Sequence, residues 1–323
     1  MIKGVYIHFK PIIEDSMNSI KVLDKIFNRI AEANIDFILP LTKDTRSNSS
    51  YPSKYIPGRI YRNINLLKNV CRIGHEYGLK IYPWLCIFSE GGEKPSSILK
   101  PDWRFIPRDG VSKGYVCPTS IDAKEYELNI VREIINNYDV DGISLDYIRT
   151  PGGPCYCKRC REKFREKYGI DPVKISFPSE AWYLWEEFNR ENITSFVKNV
   201  HEVLSERGLK LSAYVWTSIS RYIVAQDWPK WVRSGYIDFI IPTGYVYSID
   251  EFKRLCEDAK IISGGVDTYI CIGVKTSHGF IENYRDLRSY ISIVRDVGLN
   301  GYVFFTLEAL LPMLEMIKDY LED

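Results

Sequence analysis

Three times in this chain a helical pattern stops at a glycine and a strand starts two or three residues later. The joints are Tyr77-Gly78-Leu79-Lys80, Arg207-Gly208-Leu209-Lys210 and Val297-Gly298-Leu299-Asn300. Glycine just past a helix end accepts the left-handed conformation that closes the helix. So short a joint carries the chain straight from a helix into a strand of the same sheet. A sequence that repeats the joint repeats a βα unit. The strands fall at 4–9, 35–41, 80–88, 142–148, 210–216, 237–245, 269–275 and 301–306. Most are near-continuous apolar runs, the pattern of strands covered on both faces in a parallel sheet.

Helical periods fill the intervals. Ile20, Leu23, Ile26, Phe27 and Ile30 form one stripe within 17–33, and Ile64, Leu66, Leu67, Val70 and Ile73 form another within 64–77. Residues 121–137, 180–207, 249–261, 283–297 and 309–321 behave alike, and Ser248 with Glu251 makes a capping-box pattern. Eight units in 323 residues predict a (β/α)8 TIM barrel, one domain over residues 1–323 with long βα loops. The rival, an open doubly wound sheet, would place a Gly-rich phosphate fingerprint after the first strand, and none is there. Two long excursions, 42–62 and 89–118, follow the second and third strands, on the face where barrels build their sites.

A formal net charge of +1 offers no basic surplus for nucleic acid. No run approaches the roughly 18 apolar residues of a membrane span. The N-terminal segment reads as a strand where a secretory signal would put a basic stretch and an apolar run, so the expected location is cytoplasmic. A chain trimmed of its signal would read the same way. Tyrosines number 23 and tryptophans 7, which suits sugar stacking and core filling alike.

Polar residues at C-terminal strand ends are the candidates for chemistry. Asp146 is the sharpest, because aspartate is a poor strand former and a carboxylate inside an apolar run needs partners. Arg149 is one candidate partner, and a purely structural Asp–Arg pair would use the same two residues. Glycoside hydrolysis needs two carboxyl groups flanking one bond. For the second, Asp227 comes first, although it also reads as an N-cap. Glu308 follows, although it also reads as a first-turn acid of the last helix. Glu90, in a Gly-rich loop, is weaker. Expected substrate contacts are His8, Trp84, Tyr147, Arg149, Trp216, Tyr245 and Lys275. Lys10, Lys43, Asp44, Arg221, Gln226 and His278 also lie at or beyond strand ends.

The eight cysteines fall into two groups. Cys71, Cys86, Cys256 and Cys271 sit singly in apolar or helical stretches and read as buried thiols. Cys155, Cys157 and Cys160 follow the Pro151-Gly152-Gly153-Pro154 turn, and Cys117 ends the preceding long loop. Four thiolates make a closed tetrahedral zinc site, which is structural. A redox pair at Cys157 and Cys160, or unligated thiols, would be the alternatives.

The stretches Cys117-Pro118-Thr119-Ser120, Asp141-Gly142-Ile143-Ser144-Leu145-Asp146-Tyr147 and Gln226-Asp227-Trp228, with His75 to Trp84 and Gly235 to Tyr245, resemble the glycoside-hydrolase-like barrel families. The resemblance runs from about the first strand to the sixth. It implies that Asp146 is the catalytic carboxylate, with Asp227 and Tyr245 near it. The cysteine pattern separately resembles the structural zinc site of some barrel β-galactosidases. Those enzymes use glutamates on the fourth and seventh strands. Here the fourth carries an aspartate and the seventh no carboxylate, so their activity does not carry over. The expectation is a glycosidase acting on an oligo- or polysaccharide. A sugar-binding barrel without turnover and a zinc-dependent hydrolase are its rivals.

Overall fold

The computed structural model describes residues 1–92, 96–217 and 220–321. Eight parallel strands close into a barrel: β1 (Ile2–Ile7), β2 (Phe37–Lys43), β3 (Lys80–Ile81 continued by Trp84–Cys86), β4 (Gly142–Asp146), β5 (Lys210–Val215), β6 (Phe239–Gly244), β7 (Asp267–Gly273) and β8 (Gly301–Phe305). β1 pairs with β2 on one side and with β8 on the other, which completes the ring. The strand expected at 80–88 is interrupted at Tyr82-Pro83, because proline has no N–H to give the ladder.

The helices are α1 (Ser19–Glu32), α2 (Leu66–Glu76), α3 (Ile121–Asn137), α4 (Lys158–Tyr168), α5 (Glu180–Ser205), α6 (Trp228–Arg233), α7 (Ile249–Ile262), α8 (Tyr284–Val297), α9 (Leu307–Leu310) and α10 (Leu314–Leu321). The period over 309–321 is thus split into two short helices rather than one. No helix among the described residues is long and apolar enough to cross a membrane.

The N-terminal end of the barrel is fastened by one device used four times. The residue just before each even-numbered strand is Asp36, Asp141, Asp238 or Asn300. Each side-chain oxygen accepts a backbone N–H of the preceding odd strand: Lys3 at 2.7 Å, Ile81 at 2.8 Å, Leu211 at 2.7 Å and Thr268 at 3.1 Å. In the first three the acidic residue also donates its own N–H back to the carbonyl of that same residue. Two bonds to one residue fix both the position and the rotation of the strand pair.

Inside, the barrel is filled by rings in two layers. Phe37 meets Tyr82, Phe239 and Tyr269 at 5.6, 5.8 and 5.7 Å between ring centroids. Above them Tyr6 meets Trp84, Tyr214 and Phe305 at 4.8, 6.3 and 5.6 Å. Much of the aromatic content therefore serves packing. The upper layer is the floor on which the site stands.

Asp238→Ala removes one of the four fastenings. It should lower unfolding free energy by about 1–2 kcal/mol in urea titrations, the scale of one hydrogen bond to a charged acceptor. Asp238→Asn, which copies Asn300, should lose less than half of that. Equal losses in the two variants would show that the charge, not the paired bonds, holds the strand.

Candidate functional site

A cavity of about 570 Å³ opens at the C-terminal mouth of the barrel. Asp146, the last residue of β4, lies at its base and is 9% exposed. Trp84 Nε1 donates to Asp146 Oδ2 at 2.9 Å, and the Tyr147 N–H donates to Oδ1 at 2.6 Å. Burial raises the Asp146 carboxyl above the ordinary aspartate value, and the Tyr147 N–H, Arg149, Trp84 and His8 only partly offset it. Tyr147 has a φ of 51°, a region uncommon for a residue with a side chain. That turn lets the chain leave β4 with Tyr147 and Arg149 on the cavity wall. The Arg149 guanidinium lies 4.7 Å from the Tyr147 ring centroid and 4.8 Å from that of Trp216. Arg149 is thus a stacked wall residue, not a salt-bridge partner that neutralises Asp146.

His8 comes off the end of β1 and lines the same cavity. Its Nδ1 is 2.8 Å from Glu308 Oε1, and its ring centroid is 4.9 Å from that of Trp84. Glu308 is in α9, just past β8, and reaches the cavity only through His8. Burial would raise the Glu308 carboxyl, but hydrogen bonds from His8, Thr306 and its own backbone outweigh it and hold it below the ordinary glutamate value. Asp146, Trp84, His8 and Glu308 therefore form one continuous chain of contacts. The two carboxyls at its ends are displaced in opposite directions.

Trp84, Tyr147, Arg149, Trp216, Tyr245 and His278 all line this cavity. Asp227 does not; it stands at the N-terminus of α6, within electrostatic reach of Lys230. Lys275 is exposed, in a short hairpin beyond β7, and is also outside the lining. Gln226, next to Asp227, has a clearer local role. The Gln226 carbonyl oxygen accepts the Trp216 N–H at 2.9 Å, and its amide reaches the Ile148 and Tyr214 carbonyls at 3.4 and 3.3 Å. The strand-end survey passed over Tyr214 and Thr217, both of which line the cavity. Tyr214 was hidden inside an apolar strand. Asp44 also lines it, one residue beyond β2. Both its oxygens are occupied by the Arg46 and Asn48 N–H groups and the Asn48 amide, at 2.8–3.2 Å.

Lys43 and Glu90 sit beneath the mouth. The Lys43 ammonium is fully buried, 2.6 Å from Glu90 and 3.0 Å from Glu127 of α3, and donates to the Cys86 carbonyl at 2.7 Å. Burial pushes the Glu127 carboxyl well up, Lys43 pulls it down, and Glu90 pushes it up again. Lys43 is thus shared between the two carboxyl groups. Glu90 is committed to this anchor and to a hydrogen bond from Ser47.

The four cysteines form a separate cluster beside the mouth. The sulfurs of Cys117, Cys155, Cys157 and Cys160 all lie within 4.8 Å of one another. Cys117 is 3.5 Å from Cys157 and 3.4 Å from Cys160. A tetrahedral ion with metal–sulfur bonds of about 2.3 Å separates its sulfurs by roughly 3.8 Å, so the donor set fits one such ion. Cys160 is in the first turn of α4, Cys155 and Cys157 are in the loop after β4, and Cys117 precedes α3.

A family model described as glycosyl hydrolase-like 10 matches residues 14–275. The chain belongs to that family. Its fold is shared with the glycoside hydrolase domain of PgaB (BpsB) from Bordetella bronchiseptica, at a TM-score of 0.80 and 14% identity over 99% of both chains. Alpha-L-fucosidase isoenzyme 2 from Paenibacillus thiaminolyticus is similar at 0.70 and 16% identity, over 100% of this chain and 49% of that one. The GH42 β-galactosidase Gan42B from G. stearothermophilus is similar at 0.68 and 12% identity, over 99% and 56%. In sequence, an S-layer-related protein of Niallia circulans is 23% identical over 63% of this chain. The chain spans 16% of the length of that relative.

Trp84→Phe deletes the indole N–H that Asp146 accepts while keeping a ring at the site. The Asp146 pKa should rise further, as followed by carboxyl carbon NMR against pH. An unchanged or lower value would mean that Trp84 does not stabilise the ionised form.

Proposed function

We propose that this protein is a glycoside hydrolase whose reacting groups are Asp146 and a Glu308-supported His8. The observation that carries the reading is the opposed displacement of the two carboxyls along one contact chain. Groups pushed apart in this way divide into a proton donor and an ionised partner. Raised by burial, Asp146 suits the proton donor to the leaving glycosidic oxygen. Held down, Glu308 keeps its charge and orients His8. His8 accepts a proton from the attacking water as its oxygen bonds to the anomeric carbon. The C–O bond to the leaving group breaks, and one water is consumed. Glu308 is a positioning residue in this scheme. Trp84, Tyr147, Trp216 and Tyr245 supply ring faces for the sugar.

A panel of aryl-glycosides and polysaccharides tests this. Asp146→Asn and His8→Ala should each lower turnover by about 10²–10⁴-fold, the worth of a general acid or base. Asp146 must hold its proton, so kcat/KM should fall as pH rises through its raised pKa. His8 must be neutral to accept the proton and Glu308 ionised to support it, so kcat/KM should also fall at low pH. Glu308→Gln should move the acid limb and leave the alkaline limb in place. Full turnover by Asp146→Asn would end the proposal. A second reading is a sugar-binding barrel without turnover, favoured by the saturation of Asp44, the other carboxylate on the lining. Binding with no release from any substrate would support it.

We further propose that the thiol cluster holds a structural zinc ion, bound by Cys117, Cys155, Cys157 and Cys160. The ion supplies cross-linking of two loops, and no step of the reaction involves it. Elemental analysis of purified protein should find about one zinc per chain, as expected for a closed four-thiolate site. Cys117→Ser should lower both zinc content and Tm. A Cys157–Cys160 disulfide and no zinc would point to the redox alternative.

A further inference from the structure

A second cavity, of about 520 Å³, adjoins the first and shares His8, Leu41 and Asp44 with it. Each is large enough for a sugar unit. Its far wall is built by the excursion after β2 and by the residues following β1. Two polar groups there lack partners among the described residues. Tyr61 is 3% exposed, and its hydroxyl has no hydrogen-bond partner; the same is true of the buried Nε of Arg59. Buried donors are nearly always satisfied, so the residues of this wall keep unused hydrogen-bonding capacity. Arg59 is otherwise held by one bond from Nη2 to the Ile64 carbonyl at 3.2 Å. The exposed Lys10 adds a second cation to the lining.

The opposing charges are already engaged. Asp44 is the acidic residue of this lining, and its oxygens accept from Arg46 and Asn48. Asp15 lies within electrostatic reach of Arg59 but accepts the Arg62 and Asn63 N–H groups at 2.7 and 2.9 Å. Neither Lys10 nor Arg59 is in an ion pair among the described residues. A guanidinium and an ammonium on one lining, neither of them in an ion pair, match a carboxylate.

We infer that the second cavity is a subsite for a sugar unit bearing a carboxylate, next to the bond that is cleaved. The inference rests on the glycoside-hydrolase reading and narrows its substrate to acidic oligo- or polysaccharides bound across both cavities. Tetrasaccharides of hyaluronan, galacturonate and mannuronate, each paired with its carboxyl-reduced counterpart, provide the test by calorimetric titration of the Asp146→Asn protein. At least one acidic member should bind tenfold or more tightly than its reduced partner, with a preference that shrinks as salt rises. Adding Lys10→Gln and Arg59→Gln should bring that pair within twofold, while Tyr61→Phe should weaken both members alike. Equal binding within every pair, no binding by any acidic member, or a preference that survives the double substitution would overturn the inference. Unchanged circular dichroism and Tm in the variants keep misfolding apart from these outcomes. Charge-dependent binding with no release by the wild type would sink the hydrolase reading alone. Release from neutral glycans without any acidic preference would sink this one alone.

Discussion

Everything at the mouth of this barrel depends on the four side-chain clamps at its other end. A parallel ladder specifies register weakly, because each residue offers the same pair of backbone groups. A slip by one residue turns every side chain to the opposite face. Asp36, Asp141, Asp238 and Asn300 remove that freedom by gripping a named residue of the neighbouring strand. With register set, Cys86 stands opposite Asp146 and Tyr6 opposite Phe305. A one-residue slip of β4 would put Leu145 or Tyr147 where Asp146 now meets Trp84. Close backbone approaches reinforce the same strand pairs. A Cβ on Gly142 would lie 2.0 Å from the Lys210 carbonyl oxygen, and one on Gly301 would lie 2.0 Å from that of Ile2.

The two ends of the barrel handle charge differently. At the clamped end the acids are partly in water, so each bond is modest and the four act together. At the mouth the charges are buried, where an unmatched one is strongly unfavourable. Lys43 is matched by Glu90, Glu127 and two carbonyls, and through Glu127 the group ties both long excursions to α3. Asp146 accepts hydrogen bonds from two neutral donors, with the Arg149 guanidinium acting on it without a direct ion pair. That difference sets an anchor apart from the proposed reacting group, since a carboxyl without a fixed counter-ion can change protonation state at little structural cost.

How much was legible follows from these pairings. The barrel and its eight strands were readable from the apolar runs and the glycine joints. Asp146 stood out as a carboxylate within such a run, and the cysteine set as a spacing. The clamps were also written in the sequence, as Ile35-Asp36-Phe37, Val140-Asp141-Gly142, Ile237-Asp238-Phe239 and Leu299-Asn300-Gly301. Their meaning needs the strand partner, which local pattern does not supply. The helix α4 was missed because only Cys160 and Phe164 of it are buried, too few for a stripe. Asp227 reads as a strand-end acid, yet Gln226 beside it turns inward and Asp227 turns away. Whether Glu308 reaches the cavity depends on His8, 300 positions earlier. Such a pairing is set by closure of the ring and leaves no trace in either local sequence.

The thiol cluster and the cavity are joined by one short piece of chain. The loop that leaves β4 carries Tyr147 and Arg149 against the cavity and reaches Cys155 six residues after Arg149. Along the way the Thr150 N–H donates to the Val224 carbonyl at 2.9 Å, the Gly153 N–H to that of Ile223 at 2.7 Å, and the Cys155 N–H to Asn189 at 3.0 Å. A loop of this length, fastened at both ends and twice between, has little conformational freedom left to lose when a ligand settles on Arg149. A metal ion held by Cys155 and Cys157 would therefore act on the wall of the cavity through this loop. The same loop makes the left-handed turn at Tyr147 that aims the Asp146 carboxylate inward. The cysteine cluster and Asp146 thus lie at the two ends of one short, fastened loop.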